Sequence, residues 1–177
     1  MQNAGDTKGR AVRLFREHQE VIEYASVILQ TVHPVRKALF AYNLIQTDDL
    51  RERLTCVALV AYLSRVMAFT LDAIGVMGIL SNPPSKLYLT DEFQEPIDQT
   101  ASFHEAFGVS VSHVESLCNS CGEQVRLDEA LEVLFRSSAP LKTKIGLAFL
   151  VGEAFAGRYL ELEEIEGSAG VGGWARA

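Results

Sequence analysis

The chain has 177 residues, 48% hydrophobic and 22% charged, with a formal net charge of −7. That is the length of one domain with enough apolar material for a core, and the acidic balance argues against nucleic acid as a bulk partner. An odd count of three cysteines and a polar start, MQNAGDTKGR, without an apolar signal region point to free thiols in a reducing cytoplasm.

Residues 1–9 read as a flexible lead. From Arg10 to Val32, the apolar positions Val12, Phe15, Ile22, Ala25, Ile28, Leu29 and Val32 fall at helical spacing. His33-Pro34 ends or kinks that helix, and Pro34 suits the first turn of the next, which turns Val35, Ala38, Leu39, Tyr42 and Ile45 inward. Thr47-Asp48-Asp49 is a helix-start signal.

The run from Leu54 to Leu80 is the longest apolar stretch, broken by Arg65 and Asp72. A membrane span needs about 20 mostly apolar residues, and two mid-span charges would each cost roughly 2.5–3.5 kcal/mol. The run is therefore expected to be one central helix of a soluble bundle. Arg65 and Asp72 then share a face, roughly 10 Å apart along the axis, and Asp72 is a buried carboxylate. On that basis Asp72→Ala should destabilise more than Glu163→Ala. Ser81-Asn82-Pro83-Pro84 ends the helix.

Lys86-Leu87-Tyr88-Leu89 is the only plausible extended piece. Thr90, with Asp91 and Glu92 behind it, looks like the cap of a helix that Pro96 delays or kinks and Gly108 ends. Ser110 opens a shorter helix stopped near Gly122, Asp128 to Phe135 forms another, and Pro140 opens a last one that runs to Phe155 and ends at Gly157. Leu160 to Glu166 reads as a short acidic helix and residues 167–177 as a glycine-rich disordered tail. The expectation is an all-α, single-domain bundle (residues 10–166) of about seven helices around the central one, with two pseudo-repeated halves as an option.

The pseudo-repeat is an order of parts: a hydrophobic helix closing on small residues, a short connection, then an acidic helix start. It occurs around Asp72 to Glu92 and again from Ile145 through Ala156-Gly157 to Tyr159, Glu163 and Glu164. This arrangement, above all Leu89 to Leu117, resembles the TerB-like helical domain of tellurite-resistance proteins over residues 54–166. The resemblance implies a non-enzymatic module of a cytoplasmic stress-response or signalling system, acting through a protein partner or a weak metal site. Its acidic residues would be Asp72, Glu92, Glu153 and Glu163, binding at most a divalent cation loosely. Ala156 stands where the family has Asp, and Ala73 follows Asp72, so such a site is degenerate: a hard cation needs oxygen donors that are missing.

Other constellations are weaker. No Glu-x-x-His occurs, against a di-iron bundle. Cys118-x-x-Cys121 lies toward a helix end, where the dipole does not activate a thiol, and a zinc site would need further ligands such as His104 and His113. Arg13 and His18 resemble the Arg-x4–6-His motif of HEPN helical ribonucleases, which gives an alternative catalytic pair. Neither a nucleophile elbow nor a phosphate-binding glycine loop is present. A structural subunit of a homo-oligomeric assembly is the remaining alternative.

Overall fold

The computed structural model describes residues 9–70, 72–85, 87, 89–90, 92–93, 96–120 and 126–156, with the backbone alone at 69–70 and 117–120. Within these residues the chain is all-α, with nine α-helices, one 3-10 turn and no strand. The helices are α1 (Arg10–Glu17), α2 (Gln19–Ile28, continued by the 3-10 turn Leu29–Thr31), α3 (Pro34–Asn43), α4 (Leu50–Thr70) and α5 (Ala73–Leu80). They are followed by α6 (Phe103–Phe107), α7 (Val111–Ser120), α8 (Leu127–Arg136) and α9 (Leu141–Phe155). None is long and apolar enough to cross a membrane.

Helix α4 is the axis. Every residue from Leu54 to Ser64 is buried, as expected of a helix that is apolar all round. It packs most extensively on α9 and also on α1, α2 and α3. Gly152 of α9 lies against the Ala58 backbone so closely that a side chain there would meet the Ala58 carbonyl carbon at 2.8 Å. One turn and a half earlier, Gly146 faces Phe107, where a Cβ would sit 3.0 Å from the ring's Cγ. Around them Phe103 stacks on Phe107 and Phe149 at centroid distances of 4.8 and 5.1 Å.

Local signals set most helix ends. His33 caps α3, its Nδ1 accepting from the Val35 amide. The Asp49 carboxylate accepts from the amides of Arg51 and Glu52 at the start of α4. Gly108, at φ 65°, ends α6; its amide donates to Glu105 O and that of Val109 to His104 O, the paired bonds of a Schellman end. Ser110 caps α7, accepting from the His113 amide, while its own amide donates to His113 Nδ1.

Three expectations are corrected. The Leu54–Leu80 run is two helices, because the chain turns out of α4 after Thr70 and restarts at Ala73. Asp72 is extended (φ −88°, ψ 177°), exposed, and caps α5 by accepting from the Gly75 amide at 2.8 Å. It is therefore not a core carboxylate, and its shared face with Arg65 is lost. Second, Thr90 caps no helix: of the delay and the kink expected at Pro96 the delay is found, with Thr90, Glu92, Phe93 and 96–98 non-helical and α6 starting only after Ser102 and ending at Gly108. Pro96 removes an amide that a helix from Thr90 would need, Asp98 turns the chain by accepting from Thr100, and Phe93 packs edge-on against Tyr42. Third, the first expected helix is broken at His18 into α1 and α2. Of the short extended piece, Leu87 and Leu89 pack against the core without forming a strand; Lys86 and Tyr88 lie outside the described residues.

Candidate functional site

Three places on this frame carry chemistry or exposed apolar surface. The first ties α1, α4 and α8 together. Glu132 accepts from Arg51 Nη1, 2.7 Å to Oε2, and pairs with Arg10 at 3.5 Å and Arg136 at 3.7 Å. Arg10 and Arg51 both lie over the Phe135 ring, 5.4 and 5.1 Å from its centroid. Burial opposes ionisation of Glu132, but the Arg51 hydrogen bond, then the Arg51 and Arg10 charges, outweigh it and hold the carboxyl below its ordinary 4.5. Asp128, also buried, accepts from the Ala11 amide at 3.0 and 3.3 Å, so a carboxylate from α8 caps α1, whose own Gly9 has no side chain to do so. This cluster is structural: its one carboxylate hub is enclosed by its arginines.

The second is a polar groove of about 180 Å³ between α3, α4 and α9, lined by Gln30, Lys37, Ala61, Ser64, Arg65, Ala68, Phe149 and Glu153. Arg65 and Glu153 face each other at 3.8 Å. Burial pulls the Lys37 ammonium below its ordinary 10.5, an effect Glu153 only partly offsets. Burial likewise pushes the Glu153 carboxyl up, against the pull of Arg65 and then Lys37. Both shifts run toward neutrality, so desolvation exceeds pairing: these charges are spaced too far apart to compensate each other fully.

The third is α5. Its sequence, AIGVMGIL, holds no charge and none of its residues is buried. Ile74 and Met77, one turn apart, are 83% and 66% exposed. The helix rests on α2 through its other side. Other exposed apolar residues are Leu50 of α4, Val111 of α7 and Val133 of α8, the last at a groove of about 270 Å³ with Leu134 and Leu147.

The sequence-derived candidates are dispersed. Asp72 caps α5; Glu92 lines a separate cleft with Tyr42, Asn43 and Arg53; Glu153 faces Arg65 and Lys37. Among the described residues no three His, Cys, Asp or Glu side chains gather as a metal site, and Glu163 lies outside them. Arg13 pairs with Glu17 at 3.5 Å and Glu52 at 4.0 Å, and His18 Nε2 stands 4.0 Å from the same Glu17. The two thus share a glutamate on a partly exposed surface and do not face each other across a cleft. The Cys118 side chain and Cys121 lie outside the described residues, as do residues 157–166, the part of the pseudo-repeat's second half that follows α9, and the tail 167–177. Cys56 is buried on α4, its thiol pushed up to about 12 by burial, which leaves it inert.

With Asp72 exposed, the reason for a large loss in Asp72→Ala is gone. We expect the variant to keep its global stability and to lose about 1 kcal/mol of cap energy within α5. Native-state hydrogen exchange reads this as roughly fivefold faster exchange at Gly75 and Val76 with the α4 core unchanged.

Lys37 had no signal in sequence, since it sits in an amphipathic helix among ordinary surface charges. Arg65 and Glu153 were visible as charges in apolar stretches, but their partnership spans two helices 88 positions apart in the chain. No protein-family model matches the chain, and neither curated proteins nor solved structures provide a match.

Proposed function

We propose that the chain is a non-enzymatic helical module that acts by docking a protein partner on α5. The observation that carries this reading is a wholly apolar helix, with Ile74 and Met77 turned to solvent. Leaving large apolar groups exposed forgoes about 1.5–3 kcal/mol for each side chain, and contiguous exposed apolar surface marks interaction sites. The capping of α5 by Asp72 at one end, and at the other by Ser81 and Asn82 donating to Gly78 O, holds it as a separate helical ridge. Eight residues make a helix of about 12 Å, too small for the ~800 Å² per side of a stable dimer. That favours a limited contact with another protein, such as a helix or groove that takes the Ile74–Met77 pair, over a permanent second copy. The stress-response or signalling setting rests on the TerB-like resemblance alone.

The double variant Ile74→Glu/Met77→Glu tests it. Both residues are exposed, so stability should stay within about 0.5 kcal/mol of wild type. In native extracts the wild-type chain should elute above its 19.5 kDa monomer mass, and the purified chain as monomer. The double variant should elute as monomer in both. A wild-type chain that is monomeric in the extract, or a double variant that keeps the larger species, would overturn the proposal.

A further inference from the structure

The polar groove between α3, α4 and α9 is a second site, separate from α5. We infer that it binds a small molecule bearing an oxyanion, a carboxylate or a phosphate group, held by Lys37 and Arg65. Three observations carry this. The groove brings two cations and one carboxylate together, a local excess of positive charge on a chain of net charge −7. Lys37 is half-buried, and its ammonium makes no hydrogen bond or ion pair with any described residue, although it senses Glu153 across the groove. A half-buried ammonium without a hydrogen-bonded counter-ion is costly, and an oxyanion would supply both the charge and the acceptors. Finally, the floor is held rigid from behind: Gln30 Nε2 donates to the carbonyl oxygens of both Ser26 (3.0 Å) and Ser64 (2.7 Å), and the Ser64 hydroxyl to Ser26 O. That ties α2 to α4 beneath the groove and leaves Gln30 Oε1 as an acceptor for a ligand donor.

The walls complete the selectivity. Phe149, Ala61 and Ala68 are apolar, and Glu153 stands beside Arg65, able to accept from an amino or hydroxyl group of the same ligand. The space of about 180 Å³ is roughly that of six water molecules at ~30 Å³ each, so the groove, open to solvent on one side, seats the oxyanion head and a few atoms beside it, the size of an amino acid or a small phosphorylated metabolite. An arginine can grip the oxyanion with two parallel donors while the lysine adds a point charge.

The test is an NMR titration of the full chain with inorganic phosphate in one arm and acetate in the other, at ionic strength matched with chloride. The expected result is saturable shifts at Lys37, Ser64, Arg65 and Glu153 in at least one arm. Whichever arm binds more tightly identifies phosphate or carboxylate as the ligand's group. Lys37→Met, which keeps the stem's packing, should weaken binding about tenfold or more; Lys37→Arg should restore it; Glu153→Gln, by removing the competing anion, should tighten it. Each variant's amide spectrum shows directly that it is folded. Shifts that do not saturate in either arm, or equal binding by wild type and Lys37→Met, would overturn the inference.

Discussion

Gly152→Ala is expected to lower the melting temperature by about 6–12 °C, the equivalent of about 3 kcal/mol for a chain of this size. A methyl group helps an isolated helix, where alanine exceeds glycine by about 1 kcal/mol. Here the contact decides against it. The added Cβ would meet the carbonyl carbon and Cα of Ala58 at 2.8 and 2.9 Å. These are backbone atoms of the buried Leu54–Ser64 stretch of α4 and have no rotamer to escape into. Relief requires α4 and α9 to move apart along the largest helix–helix contact in the fold. Gly146→Ala should also be destabilising, since its Cβ would sit 2.6 Å from Phe107 Cβ, which no rotamer change can move, but it should cost less than Gly152→Ala because the five-residue helix α6 can yield where the α4 backbone cannot. Gly78→Ala meets nothing within 4 Å and should leave stability unchanged or slightly raised. Thermal unfolding of the three variants gives the order; a Gly152→Ala protein as stable as wild type would mean that the two helices are farther apart.

Glu132→Ala is expected to cost about 3–5 kcal/mol, the range for removing one member of a buried charge pair. The cost lies in Arg10. Its side chain is 8% exposed, whereas those of Arg51 and Arg136 are 43% and 77% exposed and can turn to water. Among the described residues, Arg10 would keep only the Phe135 ring. The pH dependence carries the same interaction. Because the folded state holds the Glu132 carboxyl below its ordinary 4.5, the carboxylate's contribution is complete above that value and is lost as pH falls through the lowered folded-state value. Urea unfolding of wild type and Glu132→Gln between pH 7 and pH 3 should therefore show a stability gap that is constant above about 4.5 and closes below it. A gap that widens on acidification would contradict the assignment of Glu132 as the anionic hub.

What could be read from the sequence follows the range of the interaction. His33-Pro34, Asp49, Gly108, Ser110 and Pro140 mark helix ends because capping and φ restrictions act within a few residues. The axial helix was legible because its stretch from Leu54 to Ser64 carries no charge on any face. The break after Thr70 was not, since apolar composition continues across it and α5 is as hydrophobic as the core it leaves. Asp72 stands out in the sequence as the one carboxylate within the apolar run, and the cause is capping. A carboxylate in an apolar run looks like a buried site, yet the same residue is a good cap, and only the fold decides between them. Thr90-Asp91-Glu92 misled in the opposite way: cap chemistry was present, but Pro96 denied it a helix. Arg10, Glu132 and Asp128 meet across more than a hundred residues, and Lys37, Arg65 and Glu153 come from three helices. Neither grouping has a local signature.

The docking role of α5 is tested most directly by photo-crosslinking in the cell, with a photoreactive amino acid at Met77 and, as control, at the exposed Glu20 of α2. The account predicts one discrete adduct from Met77, heavier than the chain by the mass of a different protein, absent from the Glu20 position and abolished by Ile74→Glu. Background labelling alone at both positions, or an adduct at twice the chain's own mass, would contradict it.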